Sequence, residues 1–320
     1  MPTGADRLVV RAPNHLGDLV MALPALRAAA PCDVVAPRGL APLLALAGVG
    51  GAIIPFERGA RGFLRAARRL RAGRYARGVL LPPSLSSALL FRAGGVRRVR
   101  GTPTDGRGPL LHDAVPTDAL AGLHRSARYH VLLAGVAPAA PIAPRLRIPP
   151  DLAARWEALA GGFAHQAVGI FPGSNAPSRR WPVERFGALA AHLAATGERV
   201  VVFGGPGERH LTGAIAAAVG DDARLLDLGG RTDLPLLAAG LASLRLLVSN
   251  DSGPLHLAAA AGTPAVSLWG AGDPTVTAPL GPGQRLLRHP ELPCVPCVKN
   301  DCPRSGRGYI LPEADTECLH

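Results

Sequence analysis

Short apolar runs alternate with longer segments rich in Ala, Leu and Arg along the whole chain. Seven of these runs have the length of a buried strand, and most lead through a Gly, Pro or Ser turn into a helical segment. They are Leu8–Arg11, Val34–Ala36, Val79–Leu81, Val168–Phe171, Val200–Phe203, Leu246–Ser249 and Ala265–Trp269. The alternation is typical of βαβ units, whose strands form a parallel sheet covered by helices.

This alternation occurs once in each half of the chain, and a Pro-rich stretch between Ala137 and Pro150 separates the halves. Such a stretch is typical of a linker between domains. We therefore predict an α/β protein with two Rossmann-like domains, 1–150 and 151–320, that face a central cleft. The loop Pro13–Asp18 after the first strand lacks the G-x-G-x-x-G spacing of a dinucleotide-binding turn, which argues against NAD as a ligand.

The two halves differ strongly in charge. Residues 1–150 hold 21 arginines against 7 acidic residues, whereas residues 151–320 hold 14 basic residues against 16 acidic ones. The first half should therefore attract an anionic partner, such as a nucleic acid, an anionic lipid or an acidic sugar. Aromatic residues make up only 4% of the chain and no known nucleic-acid motif is present, so we expect no nucleic-acid partner.

The segment Glu57–Arg77 contains eight arginines opposite apolar residues at helical spacing, which predicts a basic amphipathic helix. It suits an anionic membrane surface or an anionic substrate, and we select Arg61 and Arg65 as candidate acceptor-binding residues. The alternative is a solvated surface helix in a chain that is rich in arginine throughout.

We expect a cytoplasmic monomer that makes peripheral contact with the inner membrane surface. The chain runs directly into its first strand without a secretory signal. The long uncharged stretches 39–56 and 252–272 contain interior Gly and Pro, which favours buried strand–turn–helix units over membrane spans. Near the C-terminus, four cysteines have a spacing that indicates a metal site or a redox pair, with structural thiols as the alternative. They are Cys294, Cys297, Cys302 and Cys318. We predict no metal site.

The segment Val248–Gly262 predicts a strand, a polar turn and a helix whose N-terminus Asp251 or Ser252 can cap. Backbone N–H groups at such a helix start, from Gly253 onward, form an anion site. His256 lies one turn into this helix. The arrangement suits the diphosphate of a nucleotide-activated substrate.

Three further groups follow predicted strands. Asp18 could take a proton from a hydroxyl nucleophile, although an Asp that only caps the helix is the alternative. The loop Phe171–Pro182 offers Ser174, Asn175 and two arginines to a phosphate, or is an ordinary solvated loop. Glu208 could hold ribose hydroxyls or only interact with the dipole of the helix that it begins.

These residues resemble the motifs of glycosyltransferase family 9, the ADP-heptose:lipopolysaccharide heptosyltransferases, most closely the heptosyltransferase II branch. The matching stretches are Arg11–Asp18 with Ala22–Leu26, Pro172–Ser174 with Arg180–Pro182, and Asn250–His256. The resemblance implies a GT-B fold, with the acceptor on the N-terminal domain and the ADP-sugar on the C-terminal domain. It also implies inversion at the anomeric carbon without an essential metal.

The family's catalytic base falls on Asp18, and its phosphate-binding lysine falls on Arg179, which keeps the charge but changes the geometry. The resemblance further assigns Ser174 and Asn175 to the phosphate loop, with Asn175 in place of the common threonine. It assigns Glu208 to the ribose, and Asp251, Ser252, Gly253 and His256 to the diphosphate-binding helix start.

The leading hypothesis is an inverting transferase that moves heptose from ADP-heptose, its co-substrate, to the anionic inner core of lipopolysaccharide, on an acceptor of the heptosyl-Kdo–lipid A type. It requires no cofactor. The alternatives are a GT-B transferase of another nucleotide sugar, a sugar-nucleotide epimerase and, from another class, a nucleic-acid-binding protein.

Overall fold

The computed structural model describes residues 7–163, 165–302 and 317–319. The chain divides into two compact units, and the division falls between Leu146 and Arg147. This position lies four residues before the predicted domain boundary at 150. Each unit contains one six-stranded sheet.

The first unit has strands β1 to β6 and helices α1 to α5. Its strands are β1 (Leu8–Arg11), β2 (Asp33–Pro37), β3 (Ile53–Phe56), β4 (Arg77–Leu80), β5 (Arg98–Gly101) and β6 (Asp113–Ala114). Its helices are α1 (Leu16–Ala28), α2 (Pro42–Leu46), α3 (Ala60–Gly73), α4 (Leu85–Ala93) and α5 (Arg125–Ala134). The strands pair in parallel in the order β3-β2-β1-β4-β5-β6.

The second unit repeats this arrangement. Its strands are β7 (Val168–Phe171), β8 (Val200–Gly204), β9 (Leu225–Gly229), β10 (Leu246–Asn250), β11 (Ala265–Trp269) and β12 (Gln284–Arg288). Its helices are α6 (Pro150–Ala160), α7 (Val183–Ala195), α8 (Arg209–Val219), α9 (Leu234–Ser243), α10 (Gly253–Ala261) and α11 (Pro274–Thr277). The strands pair in parallel in the order β12-β11-β10-β7-β8-β9. This is the order of the first sheet, because in each unit the first and fourth strands are the two central neighbours. The second and third strands lie on one side of them, and the fifth and sixth lie on the other.

The prediction of two Rossmann-like α/β domains is confirmed, and all seven predicted strands are present. Five further strands among the described residues have no clear strand signal in the sequence. β5 and β12 carry arginines on their solvent side, β6 has only two residues, and β9 contains Asp227. β3 lies inside a long uncharged stretch whose periodicity does not separate strand from helix.

Two predicted helices have different bounds in the structure. α1 begins at Leu16, so Asp18 lies inside the first turn and His15 occupies the N-cap position. The basic helix α3 is shorter than the segment 57–77, because Glu57 and Arg58 precede it and Arg77 begins β4. α3 does bury Ala66, Ala67 and Leu70 in the core of the first unit, as an amphipathic helix should.

Arg107 ties together two loops at the carboxyl end of the first sheet. Its guanidinium is fully buried and donates to the carbonyl oxygens of Thr102, Pro82 and Ser84, with distances of 2.7, 2.5 and 3.2 Å. A fourth bond of 2.9 Å reaches the hydroxyl of Thr102. Burial lowers the pKa of Arg107. These bonds fix the start of α4, which follows Ser84.

No helix in the described part of the chain is long and apolar enough to cross a membrane.

Replacing Arg107 by Met should lower the free energy of unfolding by about 2–4 kcal/mol, because two buried carbonyl oxygens and a partly buried one lose a charged donor. The matched control is Arg98→Met on the exposed face of β5, which should change stability by less than about 0.5 kcal/mol. Urea unfolding followed by circular dichroism measures both. Equal stability of the two variants would contradict this role for Arg107.

Candidate functional site

Each sheet has a topological feature that places candidate residues at its own carboxyl edge. The connections from β1 and β4, which are neighbours in the first sheet, lead in opposite directions, and the same holds for β7 and β10. Ligands of open α/β sheets bind at the carboxyl ends of the strands at this switch point. Asp18 follows β1, the loop with Ser174 follows β7, and Asp251 follows β10.

Asp18 forms an ion pair on the first unit. Its Oδ1 lies 3.1 Å from Nη1 of Arg125, at the start of α5, and its side chain remains 24% exposed. Tyr129, one turn further along α5, is buried and also hydrogen-bonds Asp18. Burial and the charge of Asp18 raise the pKa of Tyr129 well above its usual value, so its hydroxyl stays protonated. The carboxylate is thus oriented by two side chains yet open to a ligand.

The sequence analysis missed Arg125 and Tyr129. They lie more than 100 residues from Asp18 and approach it only because α5 packs against α1. Since Asp18 is inside the helix rather than at its N-cap, the capping alternative does not describe its role.

In the second unit, hydrogen bonds join the loops that follow β7 and β10. Asn250 donates through Nδ2 to the carbonyl of Pro172 at 2.7 Å, and its Oδ1 accepts from the backbone N–H of Trp181 at 3.0 Å. The hydroxyl of Ser174 donates to the carbonyl of Asp251 at 3.1 Å. The predicted phosphate loop and the predicted helix start are therefore parts of one cluster.

Asp251 and Arg179 are charged residues of this cluster of loops after β7 and β10. Oδ2 of Asp251 lies 3.1 Å from Nη1 of Arg179, and the two side chains are 4% and 27% exposed. This contact is an ion pair without hydrogen-bond geometry, since Oδ2 is buried and has no hydrogen-bond partner among the described residues. Burial raises the pKa of Asp251, and Arg179 opposes that shift. A Cβ at position 272 would lie 2.2 Å from Oδ2, so Gly272 makes room for the carboxylate.

The prediction that Asp251 or Ser252 caps α10 is wrong. Ser252 occupies the N-cap position, but no described side chain caps the helix, and the Ser252 hydroxyl lies 3.2 Å from that of Ser249. The first turn, which begins at Gly253, thus keeps its positive end open to an anion. His256 is buried within α10 rather than exposed at its start.

Glu208 reaches back across the end of β7. Its Oε2 accepts from the N–H of Gly205 at 2.7 Å, and its Oε1 would lie 1.7 Å from a Cβ at position 173. Gly173 is therefore required for the carboxylate to lie beside the phosphate loop. Asn175, on the same loop, is exposed.

Arg61 and Arg65 are both exposed on α3, and Arg65 lies 3.4 Å from Glu57. The four C-terminal cysteines are half-buried, and a Cβ at Gly270 would lie 2.6 Å from the sulfur of Cys318. Within 7–163, 165–302 and 317–319, no group of three His, Cys, Asp or Glu side chains could hold a metal ion.

Comparisons with known proteins agree with this geometry. A family model described as glycosyltransferase family 9 (heptosyltransferase) matches residues 63–306. The chain is 31% identical to lipopolysaccharide heptosyltransferase 2 of Salmonella typhimurium, with 88% of each chain covered. It is 30% identical to lipooligosaccharide heptosyltransferase 2 of Haemophilus influenzae, with 98% of each covered.

Among solved structures, the E. coli ADP-heptose LPS heptosyltransferase II is similar with a TM-score of 0.79 and 30% identity. The match covers 88% of this chain and 90% of that one. The E. coli heptosyltransferase WaaC with ADP has a TM-score of 0.71 at 20% identity and supports the fold alone.

Replacing Arg179 by Met should destabilise the protein most where Asp251 is ionised. Because burial raises the pKa of Asp251, its ionised carboxylate lowers the free energy of unfolding at pH values above that pKa. Arg179 offsets part of this loss. At about pH 8 we expect a loss of about 1–3 kcal/mol, which should shrink as the pH is lowered and Asp251 takes up a proton. Urea unfolding over a series of decreasing pH values measures this.

The control is the double variant Arg179→Met with Asp251→Asn, which has no carboxylate to leave unpaired. Its difference from the single Asp251→Asn variant should not depend on pH. A pH-independent loss in the Arg179→Met single variant would contradict the pairing.

Proposed function

The chain belongs to glycosyltransferase family 9, and from this premise we propose that it transfers heptose from ADP-heptose to the inner core of lipopolysaccharide. The reaction inverts the anomeric carbon, and ADP-heptose is a co-substrate rather than a cofactor. The acceptor is a heptosyl-Kdo–lipid A type molecule that carries anionic groups.

The observation that carries the proposal is the different chemistry at the two switch points. The first bears a carboxylate that is oriented and partly exposed, which suits a general base. The second bears an open helix start beside a guanidinium, which suits a diphosphate leaving group. The likeness to heptosyltransferase 2 proteins supports heptose as the sugar.

Asp18 takes the proton of an acceptor hydroxyl. The oxygen forms a bond to the anomeric carbon of the donor as the bond from that carbon to the β-phosphate oxygen breaks. Arg125 and Tyr129 hold the Asp18 carboxylate in place through the transfer. Arg125 engages Oδ1 of this carboxylate.

Negative charge develops on the departing diphosphate, where preorganised donors act most strongly. Arg179 and the backbone N–H groups at the start of α10 supply the positive potential, and Ser174 closes the same loop. Glu208 lies beside this loop. Its carboxylate accepts hydrogen bonds from the ribose hydroxyls.

Replacing Asp18 by Asn should reduce acceptor-dependent ADP release by about 10²–10⁴-fold, because the base is lost while the shape is kept. ADP release from ADP-heptose, with and without heptosyl-Kdo–lipid A, measures this. The Kd for ADP should stay within about twofold, since Asp18 lies on the other unit from the donor residues.

The matched control is Asp118→Asn, which makes the same change at an exposed carboxylate of the first unit and should keep normal turnover. Near-normal release by Asp18→Asn would contradict the base assignment. No release by the wild-type protein from ADP-heptose, with release from another nucleotide sugar, would contradict heptose as the donor sugar.

We further propose that the protein is a cytoplasmic monomer that contacts the anionic inner membrane through α3. Arg61, Arg65, Arg68 and Arg69 are exposed on this helix, and Leu64 beside them is 55% exposed. Exposed arginines around an apolar side chain suit an interface that carries anionic lipid.

The double variant Arg68→Gln with Arg69→Gln should weaken binding to phosphatidylglycerol vesicles by about tenfold or more, because each arginine near the surface contributes about 1 kcal/mol. Cosedimentation measures this. The control pair Arg285→Gln with Arg288→Gln, exposed on β12, should bind as the wild type does. Equal wild-type binding to neutral and anionic vesicles, or no binding, would contradict the proposal.

A further inference from the structure

A short segment near the C-terminus, Val298–Asn300, holds the loop that follows β7, and we call this segment the strap. Ser178 lies in that loop and is only 2% exposed. Its N–H donates to the carbonyl of Asn300 at 3.0 Å, and its hydroxyl donates to the carbonyl of Lys299 at 2.5 Å. Both polar groups of this buried serine therefore bind a segment that lies far away along the chain.

The strap also contacts the loop that follows β11. The N–H of Val298 donates to the carbonyl of Ala271 at 2.8 Å. Ala271 precedes Gly272, which leaves room for the Asp251 carboxylate. In the sheet, β10 lies between β11 and β7. The strap therefore joins the two loops on either side of the loop that carries Asp251 and leads into α10.

The strap makes these contacts through its backbone. Its three side chains are exposed, and the bonds to Ser178 and Ala271 use only its N–H and carbonyl groups. Val298 has a φ of 55°, a left-handed conformation that a β-branched residue rarely adopts. Such a conformation costs free energy, persists where surrounding contacts hold it, and is common beside functional sites.

Arg179 follows Ser178 directly and depends on this loop for its direction. It contacts Asp251 as an ion pair without hydrogen-bond geometry. Its Nε is buried and has no hydrogen-bond partner among the described residues. The guanidinium is therefore directed by the ion pair and by the backbone of its loop, which Ser178 and the strap fix.

The contacts of the strap also give the cysteine-rich segment a place in the fold. Cys297 directly precedes the strap, and Cys302 follows it after Asp301. This segment is thus fastened to the loops after β7 and β11. A strap that only fastened the C-terminal segment would contribute to stability alone, whereas its position beside Arg179 and Asp251 indicates a second role.

We propose that Ser178 is a positioning residue of the donor site, held by the strap so that Arg179 faces the diphosphate of the nucleotide. This inference rests on the proposed function for the identity of that ligand, whereas the contacts of Ser178 do not depend on it. Ser178 acts through Arg179, because its own N–H and hydroxyl are engaged by the strap. A guanidinium that is already in place loses less conformational freedom when it binds an anion.

A double-mutant cycle on the Kd of ADP, measured by isothermal titration calorimetry, tests the inference. Arg179→Met should raise the Kd by about tenfold or more, because the diphosphate loses a charged partner. Ser178→Ala should raise it by about fivefold, because Arg179 is then less well placed. If Ser178 acts through Arg179, the double variant should stay within about twofold of Arg179→Met. Effects that multiply in the double variant, or an unchanged Kd in Ser178→Ala, would overturn the inference.

The matched control is Ser243→Ala, which removes a hydroxyl bond of 2.8 Å to the carbonyl of Gly240 within α9. It should leave the Kd of ADP within about twofold, because it lies outside the loops that carry Ser178 and Arg179. An equal rise in both serine variants would show a general effect of stability and would overturn the positioning role. Should Ser178→Ala fail to fold, Ser178→Cys keeps a weaker donor of similar size and should change the Kd in the same direction.

Steady-state kinetics supply a second readout. Ser178→Ala should raise the KM for ADP-heptose by about fivefold and leave the KM for heptosyl-Kdo–lipid A within about twofold, because it acts on the donor alone. An equal rise in both KM values would contradict a role in positioning the donor.

ADP release separates this inference from the proposed function. A non-additive cycle on ADP binding, without any release from ADP-heptose, would keep the role of Ser178 and remove the transferase. Acceptor-dependent release together with a fully additive cycle would keep the transferase and remove the role of Ser178.

Discussion

The order of the parallel strands is the constraint on which both candidate sites depend. In each sheet the first three strands lie side by side in chain order. The fourth strand then pairs with the free side of the first, and the fifth and sixth strands follow outward from it. Because the crossover connections all have the same hand, the loops after the two central strands lead in opposite directions. This leaves a crevice between them at the carboxyl edge of the sheet. Asp251 comes directly after one central strand and Asp18 lies in the first turn of the helix that follows another, so their positions follow from the winding of the chain.

The two units balance charge at this edge in different ways. In the second unit the nearly buried Asp251 is compensated by Arg179, and Gly272 leaves space for the pair. In the first unit Asp18 is compensated by Arg125, while the buried Arg11 has only neutral partners.

Local signals could be read from the sequence because strand, turn and helix follow one another directly. The seven apolar runs, the loop with Ser174 and the helix start after Asp251 are all of this kind. Contacts between distant segments leave no such signal. Arg125 reaches Asp18 across 107 residues, and Arg107 fixes the start of α4 from a loop with an unremarkable sequence. Helix caps also escaped prediction, because Ser252 has the right position but its hydroxyl lies beside Ser249.

The resemblance to family 9 aligns Arg179 with a lysine, and the contacts of Arg179 in this structure suit an arginine. Nη1 faces the buried Asp251, whereas a guanidinium has a further amino group at a fixed angle that can serve an anion at the same time. A lysine is a single point charge and would divide its attraction between Asp251 and the diphosphate. In the proposed reaction, arginine would let one side chain stabilise a buried carboxylate and still bind the departing ADP, at a depth where a carboxylate without a partner would be costly.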